Sequence, residues 1–248
     1  MASDSRITTT ITKQTDENIK VEHNYILTDS AYKTFSCPNR SGISYCGNAD
    51  INGKPMSFWI NKFIDEQISE ETKVSEVPQK LLDYILSIDN MHSFTFHVCG
   101  YETDNEKQVQ KIYRIFTKSE SPIIDENEKQ SQGMIWNGFN ETINKLLNNQ
   151  INCSKIYKAK DVTCMEGDEE RVIKDALVVE GNAPVYSSAP IPWGNLYLQD
   201  ATDLAKFLID ATMNMMRFEL VDKTVGGPID ILIIKPDKNV WLHHKQIQ

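Results

Sequence analysis

The feature that most constrains this chain is how its two hydrophobic periodicities are grouped. Stretches that alternate apolar and polar at two-residue spacing come in runs, and so do stretches with apolar residues three and four apart. The order is strands, two helices, strands, helices, strands. A parallel sheet needs a crossover, usually a helix, between paired strands, so this grouping points instead to an α+β protein with antiparallel sheets.

Residues 6–13 and 21–28 read as strands joined by a polar turn over 14–20. Short strands are expected at 33–35 and 42–46, around a proline-containing turn at 37–41. In residues 56–67, Met56, Trp59, Ile60, Phe63 and Ile64 form one apolar helical face. A second helix over 77–88 turns Leu81, Leu82, Ile85 and Leu86 inward, with Ser75 as N-cap and Pro78 in the first turn. Residues 92–102 and 108–117 form a hairpin across 103–107. Residues 118–132 read as a surface loop, 133–140 as a short strand and 141–148 as a helix.

Residues 168–179 read as a helix burying Val172, Ile173, Ala176 and Leu177, and the proline-bearing 183–195 as a loop. The clearest helix covers 199–220, with Leu204, Ala205, Leu208, Thr212, Met215, Met216 and Leu220 as its stripe. A hairpin of 229–235 and 240–245 closes the chain. No repeat and no long linker interrupts it, so residues 1–248 read as a single domain with an insertion-like region at about 153–195.

The net charge is −9, from 35 acidic and 26 basic residues, which disfavours nucleic acid and anionic lipid as partners. Five cysteines, an odd number with no C-x-x-C pair, point to reduced thiols and a cytoplasmic setting. The amino terminus carries no basic-then-apolar leader, and no apolar run approaches the ~20 residues that span a bilayer.

The common phosphate, zinc-protease and serine-hydrolase motifs are missing, so no cofactor and no metal is expected. His243 and His244 are strand neighbours that point to opposite faces and read as surface residues. His97 lies opposite the apolar face of its strand and reads as a hydrogen-bonded sheet residue.

Four stretches carry a further signal through their order: ASDSRIT (2–8), KTF (33–35), GISYCGNAD (42–50) and VDKTVGGPIDILIIKPD (221–237). Together with HVCGYE (97–102) they resemble the proteasome-like branch of the N-terminal nucleophile (Ntn) hydrolases. The resemblance spans both ends and part of the middle, and leaves 118–195 uncovered. It implies a four-layer αββα sandwich, two antiparallel sheets flanked by helices. It also implies a peptide or small amide as substrate, and homo-oligomerisation through the exposed faces of the helices at 56–67 and 77–88.

In that family a terminal Thr, Ser or Cys attacks the amide, and its α-amino group, with an ordinary pKa of about 8, is the base. A lysine anchored by an aspartate lends positive potential, and a backbone N–H at a glycine turn holds the oxyanion. Carried over, Asp4 is the anchoring aspartate, Lys33 the lysine, Gly47 the oxyanion glycine and Asp222 the second aspartate. Tyr45 and Ala49 fall at the pocket walls.

Three features depart from the family. Val225 stands where the family has a serine, and the 29-residue gap from Asp4 to Lys33 calls for an extended hairpin over 8–28. The opening matches the family's second strand, so a first strand with its nucleophile is expected to be absent from the chain as given, which is then inactive. A late start codon, a truncation and a natural pseudoenzyme all fit. The readings left open are an Ntn-type amide hydrolase, a non-catalytic ring or assembly subunit, and a small-molecule binder of unrelated α+β fold.

Overall fold

A computed structural model describes residues 1–14, 20–128, 133–147, 151–158, 161–166, 169–174, 177–185, 191–219 and 221–245. The chain divides into two units, one of residues 1–139 and 193–248 and one of residues 140–192.

The larger unit opens with β1 (Ala2–Ser3), followed by β2 (Ile7–Gln14), β3 (Lys20–Thr28), β4 (Thr34–Ser36) and β5 (Gly42–Gly47). Two short strands, β6 (Asp50–Ile51) and β7 (Lys54–Pro55), lead into α1 (Met56–Gln67) and α2 (Val77–Ile88). The long hairpin β8 (Phe94–Asp104) and β9 (Lys107–Phe116) follows, then β10 (Ile123–Asp125). The β8–β9 turn is tight: Asp104 pairs with Lys107, and both Asn105 and Glu106 take positive φ.

The smaller unit contains α3 (Glu141–Leu147), β11 (Ile151–Lys158), β12 (Asp161–Glu166), β13 (Glu169–Lys174) and β14 (Leu177–Val185). The pair β12–β13 is nested in sequence inside the pair β11–β14. The chain then returns to the larger unit with α4 (Leu198–Phe218), β15 (Asp230–Ile234) and β16 (Asn239–His243).

The larger unit is thus α+β with antiparallel sheets. Its five-stranded sheet has the order β10-β9-β8-β5-β4, and a three-stranded sheet has the order β1-β15-β16. One face of the larger sheet presents Ile43, Phe94, Phe96, Val98 and Ile115 to Met56, Ile60 and Phe63 of α1 and Leu81 and Ile85 of α2. Each such burial stabilises the fold by roughly 1.5–3 kcal/mol.

The opposite face of β5 meets the smaller sheet at Gly42. A Cβ there would stand 2.6 Å from Met1 Sδ and 2.7 Å from Ile234 Cδ1. Two cross-links join these sheets: Thr34 Oγ1 donates to Ser3 Oγ (2.8 Å), and Asn239 Nδ2 donates to Ser36 Oγ (2.9 Å).

The extended hairpin expected over 8–28 is present as β2–β3, paired from Ile7↔Thr28 to Gln14↔Lys20. Several expectations are corrected. Where a helix was expected over 168–179, the described residues 169–174 and 177–179 are strands, their backbones paired with β12 and β11. Residues 118–132 contain a strand, β10, held where Phe116 N donates to Pro122 O. Residues 133–140 are irregular.

Ser75 lies in a 3-10 turn ahead of α2, and Glu76 holds the cap position. On α4 the buried stripe is Thr202, Leu208, Thr212 and Met216, whereas Met215 is 41% exposed and Leu220 lies outside the described residues. Most of the predicted turn at 14–20 and part of the loop at 183–195 also lie outside them.

Candidate functional site

The opening segment is clamped between residues 29–33 and the turn that follows α4. Ser5 N donates to Gly226 O (2.9 Å), and Ala31 N donates to Ser5 O (3.0 Å). The Arg6 guanidinium forks onto Asp29 through Nε (2.6 Å) and Nη2 (2.9 Å), and its Nη1 donates to Lys223 O (3.1 Å). That pairing holds the Asp29 carboxyl below its ordinary range and raises the guanidinium above its own.

The turn needs its glycines. Gly227 has φ +74°, and a Cβ there would stand 2.4 Å from Asp29 O. A Cβ at Gly226 would stand 2.4 Å from the Arg6 guanidinium carbon.

This clamp aims Asp4. Its Oδ1 accepts from Lys33 Nζ at 2.8 Å, and its Oδ2 accepts the backbone N–H groups of Arg6 and Gly226, each at 3.1 Å. Both side chains of the pair are 15% exposed, so water reaches the contact. Lys33 is fixed from its other end, because its carbonyl accepts from Tyr45 N (3.1 Å) on β5.

The neighbouring strand responds to these charges. Cys46 is half-buried, and burial raises its thiol pKa; Thr95 donation and the Lys33 charge oppose that rise. Tyr45 is pushed up by burial and by the Asp4 charge. Its ring packs in the core against Phe35, at a centroid distance of 6.4 Å. Gly47 ends β5 with φ +121°, where a Cβ would stand 2.7 Å from Ser93 O.

The structure therefore brings Asp4 and Lys33 into contact and sets Tyr45 in the adjoining strand, with Gly47 two residues on. Ala49 accepts the first α1 N–H, from Met56, at 2.8 Å. Asp222 is exposed in the turn, and the part of that turn that reaches Asp4 is the Gly226 N–H.

A second lysine–carboxylate cluster has no counterpart in the expected site. Asp230 is fully buried and Lys245 is 8% exposed; Lys245 Nζ donates to Asp230 Oδ2 and to Ser5 Oγ. Lys245 N donates to Asp230 Oδ1 (3.0 Å), and the Ser5 hydroxyl donates to Pro228 O (2.5 Å). Tyr32 closes the cluster, its hydroxyl on Lys245 O (3.0 Å) and its ring 4.7 Å from Lys245 Nζ. His244 stacks on Trp241 at 4.0 Å and comes within 3.6 Å of Asp230. The signal available in sequence was an aspartate inside the apolar run PIDILII, a position where a charge needs a partner.

On the face of β8 turned away from the helices, His97 Nε2 lies 2.6 Å from Asn137 Oδ1, opposite Arg114 on β9. Burial lowers its pKa to about 4.

Among the described residues no group of three or more His, Cys, Asp or Glu stands close enough to hold a metal ion. Among them, too, no helix is long and apolar enough to cross a membrane. No family model and no curated protein matches the chain.

Proposed function

We propose that this chain is a proteasome-like Ntn domain, built as four layers αββα, whose Asp4–Lys33 pair is the electrostatic centre of a site for amide bonds in peptides or small amides. The observation that carries this reading is the 2.8 Å contact between two residues 29 apart in sequence, kept partly open to water. The layer order is supported by α1 and α2 on one face of the five-stranded sheet, by the contact of Gly42 with Met1 and Ile234, and by α4 against β1.

In this reading Lys33 supplies positive potential to the attacking group and Asp4 fixes the ammonium. The backbone at Gly47 lends an N–H to the oxyanion. Asp222 and the Gly226–Gly227 turn hold the opening segment in place. The attacking group and base come from the residue at the terminus of the mature polypeptide.

The second reading, a non-catalytic ring or assembly subunit in which Asp4–Lys33 is a structural ion pair, is favoured by one observation: the same carboxylate also accepts the backbone N–H groups of Arg6 and Gly226, which ties the opening segment to the turn after α4.

A peptide epoxyketone, applied to a form of the protein whose mature terminus is Thr, Ser or Cys on a strand ahead of Ala2, separates the two, because it forms its adduct with a nucleophile and an amine on the same terminal residue. An adduct detected by intact mass, and lost in Lys33→Ala, supports the hydrolase. No adduct, with a ring or dimer by light scattering, supports the assembly subunit. An adduct that survives Lys33→Ala places the chemistry elsewhere.

A further inference from the structure

A cavity of about 210 Å³ lies between β8–β9, β15 and the first turns of α4. It exists because α4 presents small side chains to the sheets. Ala201, Thr202 and Ala205 share one helical face, and the Thr202 hydroxyl is spent on Leu198 O at 2.7 Å. Opposite them stand the apolar residues Ile231 to Ile234 and the Cys99 thiol, which burial keeps protonated by raising its pKa. No charged side chain lines the space. The Met1 ammonium at its wall is tied to Leu232 O.

The space opens to solvent on one side, where Leu198, Ala201 and Gln110 are exposed, and its inner wall is apolar, with Leu232 and Ile231 buried, so an apolar guest seated there displaces water from apolar surface. The volume falls below the roughly 300–1,000 Å³ of pockets that hold drug-sized ligands and suits a smaller guest. One edge is polar. Tyr101 and Gln110 are partners across the β8–β9 ladder, both line the cavity, and Gln110 is exposed.

We propose that this cavity is a binding site for a small neutral molecule, a single ring or short aliphatic chain bearing one hydrogen-bonding group, with that group at Tyr101 and Gln110. The site is separate from the Asp4–Lys33 contact and does not depend on the function proposed for it.

Benzene, 1-hexanol and hexanoate, titrated into the whole protein with the melting temperature as readout, test the proposal. Benzene and 1-hexanol are expected to give a saturable rise of about 2 °C or more, with 1-hexanol the tighter of the two and hexanoate at least about tenfold weaker than 1-hexanol. Ala205→Leu fills the space and is expected to abolish the rise; Ala201→Leu, nearer the mouth, does the same if the first variant fails to fold. A xenon peak between Cys99 and Ala205 in pressurised crystals supports the site independently. No saturable shift with benzene or 1-hexanol, an equal shift in the filled variant, or a preference for hexanoate overturns it.

Discussion

The opening segment is held by two lysine–carboxylate contacts that differ in setting. At Asp230–Lys245 the carboxylate is fully buried, both its oxygens have partners, and the ammonium also reaches Ser5 and lies against the Tyr32 ring. At Asp4–Lys33 each side chain keeps 15% of its surface, and the carboxylate leans on backbone N–H groups from the Gly226 turn. A charge pair enclosed on every side cannot lose one member without stranding the other in a low-dielectric interior. A pair that still meets water can, because solvent screens the charge left behind. The first contact is therefore expected to be the stronger tie of the two, and Asp4–Lys33, with 15% of each side chain exposed, the weaker one.

The largest effect expected is at the enclosed pair. Lys245→Ala leaves Asp230 buried without its ammonium and is expected to cost about 3–5 kcal/mol, read from the urea midpoint. A loss under about 1 kcal/mol would erase the contrast between the two pairs.

His97 provides a buried group whose charge is controlled by pH. Its pKa falls to about 4 in the folded protein, against about 6.5 unfolded, so below pH 6.5 the unfolded chain binds the extra proton first. Stability is lost as pH falls from 6.5 towards 4, by at most about 3 kcal/mol for this residue. Urea titrations at several pH values should show that slope, and His97→Gln should flatten it.

The turn under Asp4 is expected to matter more than the ion pair it supports. Gly227→Ala forces a side chain into the left-handed region and against Asp29 O, at a cost of about 1–3 kcal/mol by thermal melts. The smallest effect is at the accessible pair. Lys33→Met is expected to cost about 1 kcal/mol or less while abolishing any epoxyketone adduct.

Sequence and structure agree where a segment's pattern is local. In α1, Met56, Trp59, Ile60, Phe63 and Ile64 mark the inward face before any partner is known; all but Trp59, which is half-buried, are buried. The β8–β9 and β15–β16 hairpins carry their own turn residues and alternation. Over residues 168–179 the apolar positions fit helical spacing as well as strand spacing, and only pairing with distant partners settles the choice. Lys245 needed no distant partner: with Ile231 opposite His243, Asp230 and Lys245 close the open end of the β15–β16 hairpin, and the signal for the pair was the aspartate inside an apolar run. Asp4 and Lys33 were legible through their order among neighbouring motifs. The cavity was not, because it depends on how far Ala201 and Ala205 stand from strands that α4 reaches only in the folded chain.

Double-mutant cycles on the two pairs, Asp4→Asn with Lys33→Met and Asp230→Asn with Lys245→Met, measure the contrast directly. The account predicts a coupling energy at Asp230–Lys245 of about 3 kcal/mol or more and one at Asp4–Lys33 of about 1 kcal/mol or less. Equal couplings, or a larger one at Asp4–Lys33, would show that the accessible pair is a structural bond like the other and contradict its assignment as a site.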